Sequence, residues 1–318
     1  MTVQLRDLTI QYGRFVAVKG VTAEFPRGSV GLLGRNGAGK SSVLKALLGL
    51  LWPTGGQMQI LDLPENTDPA EIRRVVGYMP ERESHIPLLN GYETVRLAAE
   101  LTGLPRLAAA RRAHEVLYFA GLDEQRYRPV SGYSTGMKQK VKLAAALVHD
   151  PQVLFLDEPT NGLDPAGRRD MLRLIQDLTT KFGKSIILSS HILSDVEQVC
   201  EHVVLMEEGE VLTQGSVKEL TSYNTRIIHL VVGGDTDAVC EALRPLAVQP
   251  VEAQEMSRYQ VTVAEDMETE RLFAAVRDAG GVVREFREHR RTLEEVFLSA
   301  VRTAERQDGS TDPAGGGA

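Results

Sequence analysis

Three scarcities narrow the possibilities for this chain of 318 residues. Cysteine occurs twice, as Cys200 and Cys240, too few for a disulfide framework, and no charged-then-apolar leader with a cleavage site follows Met1. A cytosolic compartment is expected. Basic residues are in deficit: 36 Lys and Arg against 43 Asp and Glu give a net charge of −7, so no long-range field attracts nucleic acid or anionic lipid. A polyanion must be held by a local pocket, and no nucleic-acid partner is expected. Long apolar runs are missing too: the stretch around Leu44 to Trp52 is about half of the roughly 20 residues that cross a bilayer. Any service to a membrane process passes through a partner.

What is present is the composition of a folded protein, 42% hydrophobic and 25% charged, on a chain long enough for two cores. From Val3 to Phe25 short apolar runs broken at Tyr12-Gly13 predict two antiparallel strands, and Ser29 to Leu33 is a strand running into a glycine-rich turn. A helix over Lys40 to Leu50 ends at Pro53-Thr54-Gly55-Gly56, and a strand pair is expected at Gln57 to Leu61 and Val75 to Met79. Helix formers then dominate, with helices expected at Tyr92 to Leu101, Leu107 to Ala120 and Thr135 to His149, so about 90–150 reads as an inserted helical subdomain. Alternation of strands at Val153 to Leu156, Ser185 to Leu188 and Val203 to Met206 with helices after Asp164-Pro165 and His191 argues for a mainly parallel, covered sheet. The expected division is 1–222, an α/β core with an antiparallel β subdomain and the helical insert, then 223–303, then a disordered tail at 304–318. The second domain reads βαββαβ, a small ferredoxin-like α+β unit, followed by the capping box Thr292-Leu293-Glu294-Glu295. The apolar stripe Leu293, Val296, Phe297, Ala300 and Val301 fits either packing on its own domain or a partner surface.

Chemistry is concentrated at two strand ends. Gly34-Arg35-Asn36-Gly37-Ala38-Gly39-Lys40-Ser41 fits the phosphate-loop pattern G-x-x-x-x-G-K-[ST] in its required place between strand and helix. Glycines let backbone N–H groups converge on phosphate oxygens, the helix N-terminus adds partial positive charge, Lys40 offers a mobile cation, and Ser41 offers a hydroxyl to Mg²⁺. Gly34, Asn36, Gly37, Ala38, Gly39, Lys40, Ser41 and the following Ser42 are the expected nucleotide-binding set, a loop that by itself fits a kinase, a GTPase or a transporter motor. Val153-Leu154-Phe155-Leu156 delivers two carboxylates to the sheet edge where ligands of such sheets bind: Asp157 for the Mg²⁺ shell and Glu158 to polarise the attacking water.

At these residues, and at Tyr133-Ser134-Thr135-Gly136-Met137-Lys138-Gln139, the chain resembles the ATP-binding cassette (ABC) family. The heptapeptide looks like that family's signature, usually Leu-Ser-Gly-Gly-Gln, with Ser134 and Gly136 retained. The resemblance implies that these two meet the γ-phosphate of ATP bound to a second copy, so that a homodimer sandwiches two nucleotides. It further implies that Tyr12 stacks on adenine, that Asn161-Gly162-Leu163-Asp164 joins the two sites with Asp164 near nucleotide, and that His191 is the switch histidine beside Glu158. Glu81, in Tyr78-Met79-Pro80-Glu81, departs from the usual glutamine and would put a carboxylate near Mg²⁺. The signature variant and the appended domain look most like ATPase subunits of multidrug-type exporters with a separate permease chain, bound to the cytoplasmic side of the membrane through that permease. An importer motor, or a non-transport cassette ATPase, is the alternative. The permease would be met by about Arg82 to Glu100, where Leu88, Leu89 and Tyr92 fit either a docking surface or the subdomain core.

Overall fold

A computed structural model of the chain describes residues 1–64, 67–86, 88–221, 225–234, 236–247, 251–254, 258–264, 266–289 and 292–308. The chain divides into two compact units, the first built on Met1–Val217 and the second on Lys218–Leu298.

In the first unit β1 (Val3–Tyr12) and β2 (Phe15–Phe25) pair antiparallel, with Val3 opposite Phe25 and Tyr12 opposite Phe15. Strand β3 (Ser29–Leu33) is buried at every position, and α1 (Lys40–Leu47) follows it. The expected pair of strands is not a pair: β4 (Gly55–Ile60) joins β1, Val3 opposite Ile60, whereas β5 (Val76–Met79), after a short helix α2 (Pro69–Val75), joins a different sheet. The reason is burial. β4 exposes Gln57 and Gln59 and suits a sheet margin, but Val76, Gly77 and Met79 are buried and need cover on both faces.

Helices α3 (Gly91–Leu101), α4 (Arg106–Phe119) and α5 (Thr135–Leu147) form the insert. Asn90 and Glu93 cap α3 reciprocally, Glu93 N–H donating to Asn90 at 2.8 Å and Asn90 N–H to Glu93 at 2.9 Å. Tyr92 stacks on His114 with ring centres 4.4 Å apart, which assigns it to the insert's interior, while Leu88 is 91% exposed. Tyr92 therefore belongs to the subdomain core, and Leu88 does not.

Next come β6 (Val153–Asp157), α6 (Pro165–Thr180), β7 (Ser185–Ser190), α7 (Leu193–Val199), β8 (His202–Glu207) and β9 (Glu210–Ser216). The main sheet runs β5-β6-β7-β3-β8-β9, parallel except for β9, which sequence reading overlooked. Its central strands are almost wholly apolar because both faces are covered: Val30, Leu32 and Val204 share a core with β1, β2 and α1, and Gly31 on the other face lies against Val196 of α7. The parallel order brings the C-terminal ends of β3, β6 and β7 to one edge.

After α8 (Val217–Thr221) the second unit contains β10 (Thr225–Gly233), α9 (Thr236–Leu243), β11 (Glu252–Gln254), β12 (Arg258–Ala264), α10 (Thr269–Asp278) and β13 (Val282–His289). The antiparallel order β11-β12-β10-β13 is the ferredoxin-like arrangement expected of βαββαβ. Ile228, Leu230, Tyr259, Val261 and Leu272 are at the centre of its core. The last helix, α11 (Leu293–Asp308), opens on the Thr292–Glu295 capping box, and Leu293 and Val296 are buried. Residues 304–308, expected in the tail, belong to this helix; the rest of the expected tail lies outside the described residues.

Candidate functional site

The turn leaving β3 is dictated by glycine. Gly34, Gly37 and Gly39 have φ of +155°, +92° and +99°, and a Cβ would lie 2.2 Å from the Met206 carbonyl oxygen at Gly34 and 2.7 Å from that of Ala17 at Gly39. The loop is thus pressed against β8 and β2, and α1 begins at Lys40 with no side chain capping its first turn. Those N–H groups suit a phosphate.

Lys40 is 6% exposed; its Nζ donates to the carbonyls of Gly34 at 2.6 Å and Arg35 at 3.2 Å and lies 3.7 Å from Glu158 Oε1. Burial lowers its pKa, and Glu158, Asp157 and Glu81 act in the opposite direction. Ser41 Oγ donates to Asp157 Oδ1 at 3.2 Å, and Tyr78 Oη donates to Asp157 Oδ2 at 3.5 Å. Burial first, then the Asp157 charge, pushes the Tyr78 phenol far up, so it stays a donor.

Glu158 follows β6 with φ +50°, a left-handed conformation uncommon for a side chain of this size. Its N–H donates to the Ser189 carbonyl at 3.0 Å, tying it to β7, and its Oε2 lies 2.8 Å from His191 Nδ1. Oε1 is buried and accepts no hydrogen bond from the described residues. A buried carboxylate oxygen left in this state, facing Lys40, is an acceptor available to a reacting group.

A cavity of about 420 Å³ collects most of the expected residues: Asn36 to Ser42 form its floor, and Tyr12, Glu81 and Glu158 its walls. Tyr12 Oη is 3.3 Å from Ser42 Oγ, and its ring is nearly half exposed, as a stacking face requires. Ser134, Gly136 and Asp164 are elsewhere. They line a separate cavity of about 480 Å³, where Ser134 caps α5 by accepting from Met137 N–H at 3.3 Å and Asp164 caps α6 by accepting from Gly167 N–H at 3.1 Å.

Several participants escaped sequence reading. Phe15, opposite Tyr12 across the hairpin, adds a second aromatic to the nucleotide cavity. Buried Asp195 accepts from Thr160 Oγ1 at 2.6 Å and from Arg168 Nε, joining the Asn161–Asp164 loop and α6 to the helix that follows His191. Buried Lys142 donates from Nζ to the carbonyls of Pro80 at 2.6 Å and Glu81 at 2.9 Å. Its pKa is lowered to about 8 by burial, against the pull of Asp157, Glu81 and Glu83, so it is mostly an ammonium at neutral pH. A lysine among apolar neighbours on α5 was the available signal; its partners, some sixty residues earlier, were not legible.

Residues 18–161 match the family profile described as ABC transporter, and residues 215–301 match that of the ATP-binding protein DrrA1-3-like, C-terminal domain. The chain is also 31% identical over 298 residues to the Nod factor export ATP-binding protein I of Cupriavidus metallidurans, an alignment covering 93% of this chain and 95% of that one. The chain belongs to the ABC transporter ATP-binding proteins. As a member of this family the chain binds ATP and hydrolyses it. Another relative of this cassette is the bacitracin transport ATP-binding protein BcrA of Enterococcus faecalis, 35% identical over 225 residues, 70% of this chain and 72% of that one. Among solved structures, a dimeric ATP-binding cassette in a post-hydrolysis state bound to ADP and Pi superposes with a TM-score of 0.61 at 25% identity, covering 67% of this chain and 98% of that one.

Proposed function

We propose that two copies of this cassette close on two ATP molecules and drive export through a separate membrane-spanning permease. The observation that carries the reading is the division of the machinery: Lys40, Ser41 and Glu158 surround one cavity, while Ser134, Gly136 and Asp164 surround another. A second copy facing the first would bring Ser134 and Gly136 to the triphosphate held by Asn36 to Ser42. The dimeric solved cassette is consistent with that arrangement, and relatives named for bacitracin transport and Nod factor export point to the direction. Among the described residues no helix is long and apolar enough to cross a membrane, so the membrane-bound part is assigned to the permease, with the cassette at its cytoplasmic side.

Within each site we assign the following roles, which the geometry supports. Tyr12 stacks on the adenine and the glycine loop holds the phosphates. Ser41 and Asp157, an oxygen pair 3.2 Å apart at the foot of the loop, fit Mg²⁺, with Glu81 on the same cavity wall. A Mg²⁺ ion held there would neutralise phosphate charge. Glu158 Oε1 accepts the proton of the attacking water, and His191, on the other carboxylate oxygen, fixes its orientation. Exposed Leu88, with Ile86 nearby, offers the permease an apolar contact.

The test joins enzymology to isolation from membranes. Specific ATPase activity should rise with cassette concentration as dimers form, and the cassette purified from membranes should carry one integral-membrane protein. Activity indifferent to concentration in a proven monomer would remove the shared site.

A further inference from the structure

Helix α5 carries a pair of cations that the hydrolytic roles above do not use. Lys138 and Lys142 stand one turn apart on a single helix face, and both reach the segment that follows β5. Lys142 donates to the Pro80 and Glu81 carbonyls, at 2.6 and 2.9 Å, while Lys138 Nζ meets the Glu83 carboxylate at 2.8 Å. Lys142 is 5% exposed, so its charge is out of water, and a buried ammonium is tolerated only with such acceptors and nearby anions.

The segment they grip carries Glu81, whose Oε1 accepts from Asn161 Nδ2 at 3.4 Å on the wall of the nucleotide cavity. Asp157 and Glu158 already concentrate negative charge in that neighbourhood. A third carboxylate, standing where an amide is the family's usual choice, would repel the phosphates unless a cation were fixed close by.

We infer that Lys142, assisted by Lys138, is a positioning residue that clamps Pro80 to Glu83 onto α5 and offsets the Glu81 charge beside the nucleotide. The inference rests on the proposed placement of Glu81 near Mg·ATP. Because α5 opens at Ser134, the clamp also makes Glu81 follow any displacement of the helix that meets the second copy's nucleotide.

The test uses the full chain with Lys142→Met, Glu81→Gln, the two together, and Lys138→Met as a variant at a more exposed position. In nucleotide-free protein, amide hydrogen exchange over residues 80–86 should quicken about tenfold in Lys142→Met, and by less in Lys138→Met. The KM for Mg·ATP should rise about tenfold in Lys142→Met but by no more than about twofold when the same change is made on Glu81→Gln, a coupling that mere loss of packing would not produce. Unchanged exchange in both lysine variants would overturn the clamp. Equal rises of KM in the two backgrounds would overturn the charge offset. If Glu81→Gln alone leaves the Mg²⁺ dependence of turnover untouched, the placement of Glu81 is wrong, and the exchange experiment still decides the clamp.

Discussion

Replacing Glu158 by glutamine keeps the shape of the side chain and removes its charge and its ability to take a proton. Glu158 is 4% exposed, so the amide must occupy the same space, with its NH2 in place of Oε2 beside His191 and its carbonyl oxygen still facing Lys40. In the proposed site the contacts to phosphate come from the glycine loop, Lys40 and Ser41, none of which is altered. The loss therefore falls on the chemical step. General-base help is worth about 10²- to 10⁴-fold, which is roughly 2.7 to 5.4 kcal/mol of barrier. Phosphate release under saturating Mg·ATP should fall by at least about 100-fold, while equilibrium ATP affinity stays within about threefold. Light scattering should find the variant as an ATP-dependent dimer, since the closed state is no longer discharged. Turnover within about tenfold of the parent would refute the assignment of Glu158 as base, whatever the variant's oligomeric state.

Tyr12→Ala should raise the KM for ATP about tenfold with little effect on kcat, because stacking on the base is lost along with the hydroxyl contact to Ser42 Oγ, and neither touches the reacting phosphate; a falling kcat at constant KM would argue against adenine recognition there. Gly39→Ala places a Cβ 2.7 Å from the Ala17 carbonyl oxygen at φ +99°, so nucleotide binding measured by fluorescence titration should be abolished. Asp195→Ala leaves Thr160 Oγ1 and Arg168 Nε without their acceptor. Arg168 is partly exposed, so the cost should be about 2 to 3 kcal/mol, seen as a melting temperature lower by roughly 5 to 10 °C; an unchanged melt would mean that the three residues do not act as a unit.

The phosphate loop and the Asp157–Glu158 pair were legible because each is local, glycines and charges falling within one turn and its flanks, whereas the Ser134 segment, by itself any capped helix, was legible only through its likeness to the family signature and its place about twenty residues before that pair. The ferredoxin-like unit was legible through strand and helix periodicity, even with β11 only three residues long. Failures arose where partners are distant. Nothing in Gln57 to Leu61 reveals that β1, and not β5, lies beside it, and β9 passed unnoticed because Thr213, Gln214 and Gly215 read as a loop until β8 supplies a partner. Helix α2 did carry its signals, Asp68 as cap and Pro69 in the first turn, but it is short and has no buried residue. Tyr92 could not be separated from Leu88 without His114, twenty-two positions along, and Lys142 could not be given a purpose without the carbonyls of Pro80 and Glu81.

The shared site can be tested by chemical cross-linking of two single-cysteine chains made on the Glu158→Gln background with Cys200 and Cys240 replaced, one carrying Asn36→Cys and the other Ser134→Cys. Neither chain alone holds both reactive positions, so any product linking them joins two molecules. A short bis-maleimide should give a species of twice the chain mass in the mixture when Mg·ATP is present and little without it. A mixture that stays at single-chain mass with Mg·ATP bound would contradict the account.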